Sequence, residues 1–596
     1  MIDWVKLRHT PYVRLLFVPF RWRALVRSSE LGLVIAAAIV GLISAFVVAA
    51  ISQISQWLHQ AVFEIGPDDH LSAAASSLPW SALIAPMAGG VLMGGIIWVL
   101  ARWHKKPIVD PIEANALHGG HLSLTDSFIL VGQNLISNGF GASVGLEAAF
   151  TQLSSGFASR IGRALQLRRS DMRTLVGCGA AAAIASAFNA PLTGAFYAFE
   201  LIIGAYSIAT LAPVVVAAII GTLVTRSLGS ATMEINIGSL EAVTTGDFLP
   251  ALMLGLMCAG LGIVVMRLVT YVEKSARKSF IPAILTPMVG GAMVGVIALF
   301  SPQVLGSGHG ALHFDVGIEL SFFAIIFLII TKSVASAISI GSGFRGGLFF
   351  ASLFLGALIG KLFAIIFGFI LPTTLTPAVY AVIGMSSFAV AIIGGPLTMT
   401  FLALELTGDF PIMMLVLGAV LASSMLVRKT FGYSFATWRF HLRGESIRSA
   451  HDIGWIRNLT VNKMMRHDVR TVNIDTDLQK FYEEFPLGST QRVIAVDETG
   501  RYVGMISLPE VYSSSFADKD KDGDLRDLLR FKQAYLLPEM NAKEAVSRFD
   551  RSESEALAVI NNTQERKVIG LLSESHTLRR YSEELDRKRR ELAGEV

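Results

Sequence analysis

The two halves of this chain carry one apolar pattern twice, about 200 residues apart. Pro191-Leu192-Thr193 followed by Phe196, Ala198, Glu200 and Leu201 returns as Pro396-Leu397-Thr398 followed by Phe401, Ala403, Glu405 and Leu406, a constant shift of 205. Gly145, Leu146 and Ala149 return as Gly347, Leu348 and Ala351, at a shift of 202. A repeat this long is a whole structural half rather than a local motif. The chain is 53% hydrophobic with a mean hydropathy of +0.56, well above soluble norms, which places the repeated halves in a bilayer.

Charge gives each half a direction. The apolar runs 31–58 and 81–101 are long enough to span. Glu64, Asp68 and Asp69 lie between them, and Arg102, His104, Lys105 and Lys106 follow the second. Cytoplasmic loops collect Lys and Arg, so the acidic loop is expected outside and the basic one inside. Arg160, Arg163, Arg168, Arg169 and Arg173 mark a second inside segment, and Glu234, Glu241 and Asp247 a second outside one. The span 248–269 ends in Arg267, Lys274, Arg277 and Lys278, inside again. The first span therefore runs outward and the one at 248 inward, which makes the halves an inverted-topology repeat. Such folds place their site near the midplane, between broken helices whose N-termini point at the substrate. Gly and Pro interruptions in 177–202 and 384–406 fit broken helices. Residues 31–442 are thus expected to form an all-α polytopic membrane domain. Residues 1–30 hold Lys6, Arg8, Arg14, Arg21, Arg23 and Arg27 without a short apolar core and cleavage site, which predicts a retained basic cytoplasmic segment.

Inside the first half, the stretch from Gly141 to Gln152 places one carboxylate, Glu147, in this apolar region. A carboxylate in hydrocarbon is costly and should face a cavity, a partner or a transport path. A glycine-rich turn opening a helix exposes unpaired N–H groups at the positive end of the dipole. The N–H groups at Gly145 and Leu146, and those of Leu348 and Phe349 in the related turn, are candidate anion donors. Glu147 is a titratable anion able to compete for them, which predicts gated anion permeation. A Glu at a helix start can also act only as a cap; the matched turn in the other half argues for the gate. A cation transporter would need clustered carboxylates or exposed helix C-termini. The stretch from Gly341 to Gly346 spells a dinucleotide fingerprint, but no strand precedes it. Cys178 and Cys258 sit in apolar segments, so no structural disulfide is expected; no spacing suggests a metal site, an enzyme or a nucleic-acid partner.

The stretch Gly145-Leu146-Glu147-Ala148-Ala149, with Gln152, resembles the Gly-x-Glu-Gly-Pro motif of the CLC chloride channel and transporter family. Gly347-Leu348-Phe349-Phe350-Ala351 is similar to that family's Gly-x-Phe-x-Pro motif, and Asn189-Ala190-Pro191-Leu192 and Gly394-Gly395-Pro396-Leu397 match further signatures. The resemblance covers roughly 31–442. It implies a homodimer with one pathway per subunit, chloride or a similar monovalent anion as bound substrate, Glu147 as gate and proton site, and the Tyr433 hydroxyl on the central anion. It leaves open proton-coupled antiport or passive channel conduction. The family's Gly-Ser-Gly-Ile-Pro segment should fall near Pro107-Ile108-Val109-Asp110-Pro111, where only the final proline matches. The missing serine predicts weak selection among monovalent anions. Arg345 replaces a family proline, and Lys332 stands within an apolar span, either to attract anions or to satisfy carbonyls. The position of the family's inner proton-transfer glutamate is Leu201, which cannot titrate, so coupling is expected to be loose. Glu200 is a possible inner relay, although its match with Glu405 points to a structural duty shared by both halves.

Residues 443–459 read as a polar linker, and 460–596 as a soluble α/β unit. Residues 492–507 read as strand, turn, strand, and 556–573 repeat the pattern. The two units resemble a tandem pair of CBS domains, with a regulatory role expected. Adenine-nucleotide binding is open, since the ribose-binding Asp is Glu510 in the first unit and His576 in the second. Asp518 to Gly523 opens like a calcium loop, but the twelfth place is Leu529. Tyr581 to Val596 is expected to be a charged helical end with a solvated face. A sensor anchored by an inert membrane part is a further class, but an anchor has no need of two related anion turns.

Overall fold

The structure is a computed structural model describing residues 30–66, 71–73, 81–104, 108–229, 243–310, 320–370, 375–432, 434, 437–438, 459–512 and 524–593. It divides into two units, 1–452 and 453–596.

The first unit is helical: α1 (Glu30–Phe63), α2 (Ser81–Trp103), α3 (Pro111–Leu117), α4 (Leu124–Gly139), α5 (Glu147–Ala164), α6 (Arg169–Phe188), α7 (Pro191–Tyr197), α8 (Ile208–Ser227), α9 (Phe248–Lys278), α10 (Thr286–Phe300), α11 (Phe322–Ser342), α12 (Phe349–Ile370), α13 (Pro377–Ile393), α14 (Pro396–Thr407) and α15 (Phe410–Thr430). Among the described residues, seven helices are long and apolar enough to cross a membrane. Helices α7 with its continuation, α10, α13 and α14 are apolar but shorter, as the Gly and Pro interruptions predict. Asn189, in the left-handed region, stops α6, and Pro191 starts α7. Gly394 and Gly395, both at positive φ, separate α13 from α14, which Pro396 opens. A π-helical turn, Ala198–Ile203, continues α7.

The repeat is visible as paired contacts between the halves. The rings of Phe196 and Phe401 stack with centroids 4.3 Å apart. Helices α2 and α10 approach at their glycines: a Cβ at Gly90 would overlap the backbone of Pro287, and one at Gly291 the backbone of Pro86. Small residues that let backbones meet are the usual means of packing helices in lipid, where apolar burial between helices gains little.

Each half also caps a broken helix of the other. The Glu405 carboxylate on α14 accepts from the Leu192 and Thr193 N–H groups (both 2.8 Å) and the Thr193 hydroxyl (2.6 Å) at the start of α7. The Glu200 carboxylate accepts from the Leu397 N–H (3.0 Å), the Thr398 N–H (2.9 Å) and the Thr398 hydroxyl (2.7 Å) at the start of α14. The orphan donors of two helix starts and two intramembrane carboxylates satisfy one another. Lys332, fully buried on α11, donates to the carbonyls of Val304 (3.1 Å) and Gly306 (3.0 Å).

In the second unit, β1 (Thr471–Asn473) pairs parallel with β2 (Arg492–Val496), which pairs antiparallel with β3 (Tyr502–Ser507). Strands β4 (Ala556–Ile560) and β5 (Val568–Ser573) form a second antiparallel pair. Helix α16 (Leu478–Glu484) buries Phe481 against the first pair's core with Val493 and Ile506; α17 (Ala542–Ser552) buries Phe549 with Leu557 and Leu572. Tyr502, Met505, Ala558 and Ile560 join the two strand pairs. Helix α18 (Glu574–Ala593) continues from β5 into the charged end. Glu510 forms an ion pair with Arg530 at 2.9 Å. The calcium-like stretch 518–523 lies outside the described residues.

Candidate functional site

The two glycine-rich turns meet each other. The Gly145 N–H donates to the Gly347 carbonyl (2.9 Å), and the Gly347 N–H to the Gly145 carbonyl (3.2 Å). The Ser143 N–H donates to the Ser339 hydroxyl of α11 (2.9 Å), and the Arg345 N–H to the Ser137 hydroxyl of α4 (3.0 Å). Ser137 and Ser339, and likewise Ser143 and Arg345, are repeat mates, so each turn is held by the helix that precedes the other turn. The Asn138 amide also donates to the Val144 carbonyl (2.8 Å).

This bridge brings the starts of α5 and α12 together, and Glu147, the first residue of α5, reaches across. Its Oε1 accepts from the Phe350 N–H at 2.8 Å, and its Oε2 is buried without a hydrogen-bond partner. Glu147 is 4% exposed. Gly145 is needed for this pose, because a Cβ there would lie on the Glu147 carboxylate. The carboxylate therefore occupies the seat at the N-terminus of α12 that an anion would favour.

A cavity of about 290 Å³ adjoins this seat. Glu147, Tyr197, Arg345, Asp110, Leu201 and Phe349 are among its walls. The Phe349 ring packs on Phe188 (4.8 Å between centroids) and Tyr197 (6.2 Å). Gln152, one turn beyond Glu147 on α5, donates to the Val109 carbonyl (3.0 Å) and so fixes the segment leading into α3. Asp110 caps α3 by accepting from the Glu113 N–H (2.8 Å).

Glu147, Leu348 and Phe349 line one cavity, and Leu146 precedes Glu147 at the start of α5. Gly145 belongs to the same turn, but its N–H, expected among the anion donors, is bonded to Gly347. The N–H that holds the carboxylate is that of Phe350, one residue past the pair singled out from sequence. Tyr433 lies outside the described residues. Glu200 is engaged in the cap on α14. Asp110 and Tyr197 were missed as cavity residues. Asp110 stands where the sequence departs from the family segment, and that departure is its signal in the sequence.

Comparison with known proteins gives the family and the fold. The family model described as voltage gated chloride channel matches residues 89–428, and that of the CBS domain matches 461–514. A ClcB-like chloride channel protein of Ralstonia nicotianae is 31% identical over 369 residues, 61% of this chain and 85% of that protein. The voltage-gated ClC-type chloride channel ClcB of Salmonella typhimurium is 28% identical over 400 residues, 66% and 95% of the two chains. The crystal structure of a slow cyanobacterial Cl−/H+ antiporter superposes with a TM-score of 0.61 at 20% identity, covering 69% of this chain and 97% of the other. A eukaryotic CLC transporter superposes with a TM-score of 0.56 at 18% identity, covering 91% and 97%.

Proposed function

The chain belongs to the voltage-gated chloride channel (CLC) family of membrane anion-transport proteins, and from that premise we propose that Glu147 gates its anion pathway by occupying the anion's own seat. The observation that carries this is the Glu147 Oε1 bond to the Phe350 N–H. In the closed state the carboxylate holds the positive end of α12. One hydrogen bond and an unpartnered Oε2 leave it displaceable. When Glu147 takes a proton it loses the charge that competes for the helix terminus, and chloride or a similar monovalent anion takes its place. Leu146, Leu348, Phe349 and Phe350 supply the backbone around the anion, with the Tyr433 hydroxyl as a further donor. Anion entry is thereby linked to protonation, as an H+/Cl− antiporter requires.

The second reading is a passive chloride channel, favoured by Leu201 standing where an inner proton glutamate is expected. In either case the protein works as a homodimer with a pathway in each subunit, resides in the cell membrane of a bacterial-type cell and keeps both termini cytoplasmic, following the basic loops. Chloride is substrate and no cofactor takes part; the CBS region regulates, with adenine nucleotide as a candidate ligand. Purified protein in proteoliposomes, with chloride and internal pH recorded together, tests the reading. Chloride efflux that drives proton entry supports antiport; chloride efflux with no proton movement supports the channel; no chloride movement rejects both.

A further inference from the structure

The proposed antiport needs a second titratable group reachable from the inner side, and neither expected residue supplies one. Leu201 has no proton to give. Glu200 has both carboxylate oxygens committed to the start of α14. The cavity that Glu147 borders contains one other carboxylate, that of Asp110 among the described residues.

Three observations place Asp110 for this work. First, it is half-buried in the wall of the same cavity, so its carboxylate is neither sealed in protein nor fully in bulk solvent. Second, it is tied to the gate helix: Gln152 of α5 bonds the carbonyl of Val109, the residue before it, and Gln152 is five residues, about 7.5 Å of rise, from Glu147. Tyr197 lines the same cavity as both carboxylates. Third, the positive-inside rule puts it toward the inner side. It follows the basic segment Arg102–Lys106 in sequence, and α3 is fixed to the inner end of α6 by the Asn115 amide, which donates to the Arg173 carbonyl (3.1 Å) and the Ile202 carbonyl (3.2 Å). That second bond sets α3 against the π-helical turn carrying Leu201. Asp110 therefore enters the cavity on the side where the inner glutamate would otherwise stand.

We infer that Asp110 is the inner proton-exchanging carboxylate of this transporter, a role resting on the reading of Glu147 as the gate. A proton taken from the inner solution is held as the Asp110 carboxylic acid. Its O–H bond breaks as water in the cavity passes a proton on, and an O–H bond forms at the Glu147 carboxylate, which then leaves the α12 terminus to the anion. Charge balances, since Asp110 becomes the carboxylate as Glu147 becomes neutral. The titratable and charged residues that line the cavity with Asp110 are Glu147 on α5, Tyr197 on α7 and Arg345 in the turn before α12; Glu113 and His118, an ion pair, lie on and after α3 itself. Arg345 borders the same chamber, and its positive charge offsets the negative charge that Asp110 would otherwise present to an entering anion.

The bland role of Asp110 is the cap on α3, and the test separates the two. Asn and Ser are good N-caps that do not titrate, so Asp110→Asn and Asp110→Ser keep the cap and remove the proton site; Asp110→Glu keeps a titratable group. In proteoliposomes recording chloride and protons together, the wild type and Asp110→Glu are expected to move both. Asp110→Asn and Asp110→Ser, monodisperse by size exclusion, keep chloride movement and lose at least about tenfold in proton movement. Unchanged proton-to-chloride ratios in either neutral variant would overturn the inference while leaving the Glu147 gate intact. A wild type that moves chloride without protons would also overturn it. A wild type that moves no chloride would reject the gate reading itself.

Discussion

Gly145 and Gly347, 202 residues apart, exchange two backbone hydrogen bonds, so the two turns form one miniature antiparallel ladder inside the helical unit. Lipid offers no water to satisfy a loop's backbone, and irregular chain at membrane depth must pair within the protein. Here the two irregular turns pair with each other. The same bridge sets the distance from α5 to α12 and lets a side chain on one half occupy the helix terminus of the other.

Gly145→Ala tests whether the glycine exists to admit the carboxylate. The added methyl would meet the end of a flexible side chain, Glu147 Oε2, rather than backbone. The carboxylate is therefore expected to be displaced with the fold intact, raising chloride flux at neutral pH and flattening its response to acid. Wild-type flux and pH response in a well-folded Gly145→Ala protein would show that the carboxylate does not rest there.

Glu200→Gln and Glu405→Gln test the crossed caps. Each carboxylate accepts two N–H groups and a hydroxyl, and charge-assisted bonds of this kind contribute about 1–3 kcal/mol each when one partner is compromised. Both substitutions are expected to lower the thermal unfolding midpoint in detergent by similar amounts, with proton movement retained. Loss of proton movement in Glu200→Gln without loss of stability would make Glu200 the relay and its cap incidental.

Much of this was legible in the chain. The shifts of 202 and 205 and the alternating charge of the loops carried the inverted repeat, and matched positions such as Glu200 and Glu405 told in advance of a shared duty. Two features were not legible. Which N–H holds the Glu147 carboxylate depends on the residue at which α12 begins, and it is that of Phe350. That Asp110 borders the gate cavity depends on where Gln152 and Asn115 hold α3, through side-chain bonds across 43 and 87 residues that no local pattern announces.

A chain ending at Asp452 tests the role of the C-terminal unit. That unit has its own strands and buried cores, and a separate compact unit can be removed without dismantling the pathway. The shortened protein is expected to move chloride in proteoliposomes at a rate comparable to the full chain. Loss of all flux in a folded shortened protein would place part of the pathway in the missing unit.

The most direct test of the account is chloride flux through Glu147→Gln as a function of pH. Gln is isosteric, keeps an oxygen for the Phe350 N–H, and carries neither the charge that competes with the anion nor a proton to exchange. The account predicts a folded protein that conducts chloride at neutral pH, no longer responds to acid and moves no protons. Flux in this variant that keeps the wild-type acid response would contradict the account and place the gate elsewhere.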